Sequence, residues 1–131
     1  MTDSPLSGRC VLVIEDEMIV AMLLEDMLAD LGCTVLGPAA RVEQALTIIE
    51  AAGPLDAAVL DVNLNGQKSY PVADALVARG VPFVFATGYR RDAVMNGYRN
   101  FPQLQKPFKL SELGDALAKL FTPKEQSTSQ E

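Results

Sequence analysis

Four short uncharged runs, each ending in a residue able to do chemistry, constrain this chain more than any other feature. Val11-Leu12-Val13-Ile14 stops at Glu15-Asp16, and Ala57-Ala58-Val59-Leu60 stops at Asp61. Val81-Pro82-Phe83-Val84-Phe85-Ala86 runs into Thr87-Gly88-Tyr89, and the weaker Leu104-Gln105 stops at Lys106-Pro107. Uncharged runs of this length fit strands buried on both faces, as central parallel strands are. If the strands are parallel, all of these polar residues gather at one sheet edge, and that edge is where an open α/β sheet binds ligands.

The intervening stretches read as helices. Ile19, Val20, Leu23, Leu24, Met27, Leu28 and Leu31 recur at helical spacing, which predicts a first helix over about Glu17 to Leu31 with these residues inward and Gly32 as its stop. The first strand is Arg9 to Ile14, and Cys33 to Leu36 is a short second strand ended by Gly37-Pro38. Helix two is expected over Val42 to Ala52, helix three over Val72 to Arg79, and helix five from Ser111, as N-cap, to Phe121. Between Asp61 and helix three, Asp61-Val62-Asn63-Leu64-Asn65-Gly66 reads as a loop rich in turn formers. Arg90 to Asn100 carries only a weak helical pattern, with Val94, Met95 and Tyr98 inward. Strands alternating with helices at this loop economy predict an α/β doubly wound parallel sheet of five strands with helices on both faces. The expected organisation is an arm over 1–8, one folded domain over 9–121 and a disordered tail over 122–131.

Composition narrows the chemistry. Among 131 residues there is no histidine, and the net charge is −6, which argues against a nucleic-acid surface and removes His-based metal or acid–base chemistry. Cys10 and Cys33 are read as small packing groups without a function. No apolar run reaches membrane-span length and Met1 to Arg9 has no signal-peptide pattern, so a cytoplasmic protein is expected.

The topology brings Glu15, Asp16 and Asp61 together. Two carboxylates about 4 Å apart repel by roughly 4 kcal/mol at an effective dielectric near 20, so the cluster requires protons or a cation. Mg²⁺ suits it, because this ion takes carboxylate and carbonyl oxygens and leaves positions for phosphate. Lys106, held extended before Pro107, and the Thr87 hydroxyl supply the contacts an oxyanion needs. Asp61, alone at the end of the middle strand, is the candidate nucleophile for an aspartyl phosphate.

Glu15-Asp16, Asp61, Thr87 and Lys106-Pro107-Phe108, in this order after successive strands, resemble the receiver domain of two-component response regulators over about residues 9 to 121. Pro82-Phe83-Val84-Phe85-Ala86-Thr87-Gly88-Tyr89 further resembles the single-domain "FAT GUY" group. The resemblance implies a flavodoxin-like three-layer fold and phosphorylation of Asp61 by a histidine kinase or phosphotransfer protein. It implies Mg²⁺ on Asp16, Asp61 and the Asn63 carbonyl, Glu15 acting through water, and Thr87 and Lys106 on the phosphoryl oxygens. Two positions depart from the family pattern: the acidic pair is Glu-Asp, and Gln103 stands where most receivers carry an aromatic switch residue.

The leading expectation is therefore a phosphoacceptor switch with no output domain, acting through changed protein contacts at residues 88–100 and helix five. Tyr89 is expected to set the lifetime of the phosphorylated state. Two alternatives stand beside it: a Mg²⁺-dependent phosphatase of the haloacid-dehalogenase type and an unphosphorylated flavodoxin-like binding module. The first normally has an acid two residues after the nucleophile, where this chain has Asn63. The second usually has a phosphate loop after the first strand, where Glu15-Asp16-Glu17 would repel phosphate.

Overall fold

The computed structural model describes residues 5–88, 94 and 97–121. Strands β1 (Cys10–Ile14), β2 (Thr34–Ala39), β3 (Ala57–Asp61), β6 (Phe83–Thr87) and β7 (Gln103–Gln105) form one parallel sheet in the order β2-β1-β3-β6-β7. Antiparallel strands β4 (Asn63–Leu64) and β5 (Gln67–Lys68) make a separate hairpin. The described helices are α1 (Met18–Asp30), α2 (Val42–Ala51), α3 (Tyr70–Arg79) and α4 (Leu110–Leu120). This is the doubly wound α/β sandwich that strand and helix alternation predicts.

Side chains alternate across the central strands, so each strand feeds two cores. Leu12, Ile14, Ala58, Leu60, Phe83 and Phe85 pack with α2 and α3 residues such as Ala45, Ile49, Ala73 and Leu76. Val11, Val13, Ala57, Val59, Val84 and Ala86 face the other way, against Leu24 and Leu28 of α1 and Leu113 and Leu117 of α4. Apart from Cys10 and Asp61 at their ends, every residue of β1, β3 and β6 is buried, which explains why these strands carry no charge before Asp61.

Several elements differ from the sequence expectation. Strand β2 does not end at Leu36; it continues to Ala39, with a register shift against β1 between Leu12 and Ile14. Gly37 makes that possible, since its φ is 93° and a Cβ there would lie 2.8 Å from the Val13 carbonyl oxygen. The Asp61 to Gly66 loop is the first arm and turn of the β4–β5 hairpin, and α3 begins at Tyr70. The N-cap of α4 is Lys109 rather than Ser111, and the Lys109 N–H donates to Glu112 Oε1 at 2.7 Å.

The inward face of α1 also differs. Leu24 and Leu28 are buried as expected, but Ile19 is 81% exposed and Leu23 55%, and Ala21 takes the inward position instead. Apolar residues fill every position from Met18 to Leu24, so periodicity alone gives the helix no unique face.

In the segment expected to be an arm, Leu6 is buried and the Gly8 N–H donates to the Gly32 carbonyl at 2.8 Å. The weak helix at 90–100 lies largely outside the described residues, as do Tyr89, Met95 and the 122–131 tail. Its described part, 97–100, is turn and bend around Gly97 at φ 64°, with Val94 fully buried. Cys10 and Cys33 are free thiols at intermediate exposure, and burial pushes both pKa values up, away from reactivity.

Candidate functional site

Parallel register sets the site. Ile14 aligns with Leu60, Asp61 with Ala86, and Thr87 with Gln105, so Glu15, Asp61, Thr87 and Lys106 all emerge at the carboxyl ends of adjacent strands. The extension of β2 contributes, because the Ala39 carbonyl accepts from the Glu15 N–H at 2.9 Å. On the far side, the Lys106 N–H donates to the Thr87 carbonyl at 2.8 Å, fixing β7 against the end of β6.

The Lys106 Nζ joins two of the acids, at 2.8 Å from Glu15 Oε1 and 3.0 Å from Asp61 Oδ2. Glu15 is only 2% exposed, and its other oxygen, Oε2, accepts from the Glu17 N–H at 3.1 Å at the start of α1. Burial pushes the Glu15 carboxyl up to about 7, with the Asp61 charge adding to the rise and the Lys106 hydrogen bond opposing it. For Lys106, burial lowers the pKa, but the hydrogen bond to Glu15 and the Asp61 charge outweigh it and the balance is raised. The sequence reading placed Glu15 in the metal cluster, acting through water; the structure also joins it to the lysine.

Glu15, Asp16 and Asp61 each offer an oxygen, and these atoms all lie within 4.8 Å of one another. With all three ionised, Lys106 offsets one charge and leaves two, which a divalent cation would balance. An all-oxygen donor set of this size suits a hard ion such as Mg²⁺. The hairpin supplies a further donor. Asn65 and Gly66, at φ 52° and 87°, form the two-residue turn, so Leu64 and Gln67 are the hydrogen-bonded pair and Asn63 and Lys68 the non-bonded one. The ladder therefore leaves the Asn63 carbonyl unused, while the Asn63 N–H approaches Asp61 Oδ1 at 3.3 Å.

Thr87 completes the edge. Its hydroxyl is buried and, among the described residues, is the buried side-chain polar atom without a hydrogen-bond partner. Such an orphan is costly unless something binds it, which marks the end of β6 as a place for an oxygen-bearing ligand.

One participant escaped the sequence reading. Ser69 is fully buried, and its hydroxyl donates to the Asp61 carbonyl at 2.6 Å while its N–H donates to the Val62 carbonyl at 2.9 Å. A serine one residue before Tyr70-Pro71 is a helix-start signal that could have drawn attention to it.

Beside the site, Tyr70 at the start of α3 stacks on Tyr98 at 4.4 Å between centroids and meets Phe85 edge-on at 6.1 Å. Phe83 and Phe101 extend the group at 4.8 Å. Position 103 thus lacks an aromatic, yet an aromatic cluster lies two residues upstream of Thr87.

Known proteins share this fold. The solution structure of SdrG from Sphingomonas melonis Fr1 superposes with a TM-score of 0.79 at 46% identity, covering 93% of this chain and 100% of that one. The BeF3-activated conformation of SdrG, from Pseudomonas melonis Fr1, gives 0.77 at 48% identity, covering 88% and 98%. The transcriptional regulatory protein PdtaR of Mycobacterium tuberculosis is 27% identical over 113 residues, 83% of this chain. This chain spans about half the length of PdtaR, 55%. Residues 11–118 match the family model of the response regulator receiver domain, and the chain belongs to that family.

Proposed function

We propose that this receiver domain takes a phosphoryl group onto Asp61 from a histidine kinase or phosphotransfer protein, with Mg²⁺ bound at Asp16, Asp61 and the Asn63 carbonyl. The observation that carries this reading is the convergence of Asp61, the Lys106 ammonium at 3.0 Å and the orphaned Thr87 hydroxyl on one sheet edge. A carboxylate oxygen of Asp61 forms the new bond to phosphorus as the bond to the donor nitrogen breaks, and the donor imidazole leaves with that electron pair. Lys106 and Thr87 then hold phosphoryl oxygens, Lys106 by charge and Thr87 by the donor it has in reserve. Glu15 keeps Lys106 in place from the buried side. The metal, when bound, lowers the repulsion between the incoming phosphoryl group and the acidic residues.

The donor docks over α1. Met18, Ile19, Met22 and Leu23 are 55 to 81% exposed, and Leu23 also lines a cleft of about 350 Å³ whose far wall is Lys106, Pro107 and Phe108. Exposed apolar residues next to a cleft that reaches Lys106 favour this helix as the surface on which a protein delivering phosphate sits. Output passes through residues 88–100 and α4 in this reading, in a cytoplasmic single-domain regulator of the "FAT GUY" group. The chain acts as a switch, catalysing only its own phosphorylation and dephosphorylation.

The test is labelling with acetyl phosphate and Mg²⁺, followed by mapping of the modified peptide. The expected adduct is on Asp61 and is absent from Asp61→Asn, which still folds because it relieves carboxylate repulsion. Labelling of Asp61→Asn at the parent's level would overturn the assignment.

A further inference from the structure

We propose that Ser69 and the backbone amide of Asn65 are positioning groups that set the metal affinity of the site, an inference that rests on the Mg²⁺ reading above. The β4–β5 hairpin is closed at its base by Ser69, whose hydroxyl and amide hold the Asp61 and Val62 carbonyls at 2.6 and 2.9 Å. Its inward residues, Val62 and Leu64, are 4% and 0% exposed, so the hairpin is anchored in the core and cannot swing freely. At its tip the Asn65 N–H donates to Asp16 Oδ2 at 2.9 Å. That contact occupies one oxygen of Asp16 and leaves the other for a cation.

The hairpin therefore touches three of the proposed ligands at once. It carries the Asn63 carbonyl, Ser69 grips the backbone of Asp61, and Asn65 orients Asp16 across a gap of 49 residues in sequence. Mg²⁺ tolerates little departure from octahedral geometry, so a frame that fixes three ligands together acts on affinity rather than only on stability. The hydrogen bond from Ser69 goes to the Asp61 carbonyl and leaves the carboxylate unconstrained by it. Ser69 thus places the ligand without occupying an oxygen that the metal or the phosphoryl group would use.

Gly66 gives an independent handle. Its φ of 87° is one that β-branched residues avoid, and a Cβ there meets nothing within 4 Å. Gly66→Val disturbs the turn, and with it the Asn65 amide, without a clash in the core.

Magnesium titration of the whole chain, followed by amide chemical shifts and by calorimetry, tests the proposal on the parent, Ser69→Ala, Ser69→Thr and Gly66→Val. Ser69→Ala and Gly66→Val are expected to bind Mg²⁺ about tenfold more weakly or worse, the usual effect of losing a group that orients a ligand. Ser69→Thr keeps the hydroxyl and recovers affinity toward the parent's, which a purely structural role for Ser69 would not require. Should Ser69→Ala fail to fold, Gly66→Val, altered only in an exposed turn, carries the test. Parent-like affinity in the folded variants would overturn the positioning role and leave the phosphoacceptor reading intact. A parent that binds no Mg²⁺ would overturn both.

Discussion

Helices α1 and α4 pack on the same face of the sheet, yet they treat their apolar residues differently. In α4 the large apolar residues Leu113 and Leu117 are wholly buried, and Ser111, Glu112, Asp115 and Lys119 face solvent. In α1, Leu24 and Leu28 do the same work, but Met18, Ile19, Met22 and Leu23 are 55 to 81% exposed. Hydrophobic burial accounts for the large apolar residues of α4 apart from Leu110, 38% exposed at its first turn, but for only part of those of α1. Of these four exposed residues, Leu23 lines the cleft whose other wall includes Lys106.

The comparison can be broken most forcefully through stability. Leu113→Ala should lower unfolding free energy by about 2–5 kcal/mol, whereas Leu23→Ala, more than half exposed, should stay within about 0.5 kcal/mol. Urea denaturation of the two variants decides it, and similar losses would mean that the outer face of α1 is structural.

Phosphotransfer gives the next largest contrast. Ile19→Glu should slow labelling from a phosphorylated donor protein by about tenfold, as loss of an interface anchor does, and leave labelling by acetyl phosphate unchanged. An equal loss with both donors would show that the change reaches the site itself and that α1 is no docking face.

The smallest effect concerns how the helices begin. Each starts on an amide held by a glutamate: Glu17 N–H on buried Glu15 at 3.1 Å, and Lys109 N–H on exposed Glu112 at 2.7 Å. Glu15 titrates near 7 in the metal-free fold against an ordinary value of 4.5, so between these limits the native state binds more protons than the unfolded chain. The stability this confers is complete below about 4.5 and is lost as pH rises through about 7. Melting temperatures of protein in a chelator should therefore contain a falling component over that window, which Glu15→Gln removes. A Glu15→Gln profile parallel to the parent's would refute the assignment.

The sheet was legible because its central strands are buried on both sides, and nothing but uncharged residues satisfies two apolar cores at once. The strand ends were legible for the opposite reason: a charge directly after such a run has to leave the sheet, and parallel pairing decides where. The hairpin was hidden because its strands are two residues each and mostly polar, too short for any period to show, although Asn65-Gly66 is a strong turn signal. Ser69 was hidden because its partner is a backbone carbonyl, which leaves no trace in side-chain patterns. The exposed face of α1 was misread because an unbroken apolar run from Met18 to Leu24 supports every face equally.

The Tyr70–Tyr98 stack has an optical consequence. The chain has no tryptophan and 3 tyrosines, so its near-ultraviolet absorption and emission arise from tyrosine, with phenylalanine a weak background. Two of those chromophores are stacked at 4.4 Å with planes 25° apart, and the Tyr98 hydroxyl donates to Asp74 Oδ1 at 2.9 Å. Excitations in rings so close mix, and a neighbouring carboxylate quenches a phenol, so circular dichroism and emission both depend on whether the stack is intact. Tyr70 follows directly on the serine that grips Asp61. The protein therefore carries an unlabelled chromophore pair one residue away from its proposed phosphoacceptor frame, and whether metal or beryllofluoride disturbs the stack can be read by light alone.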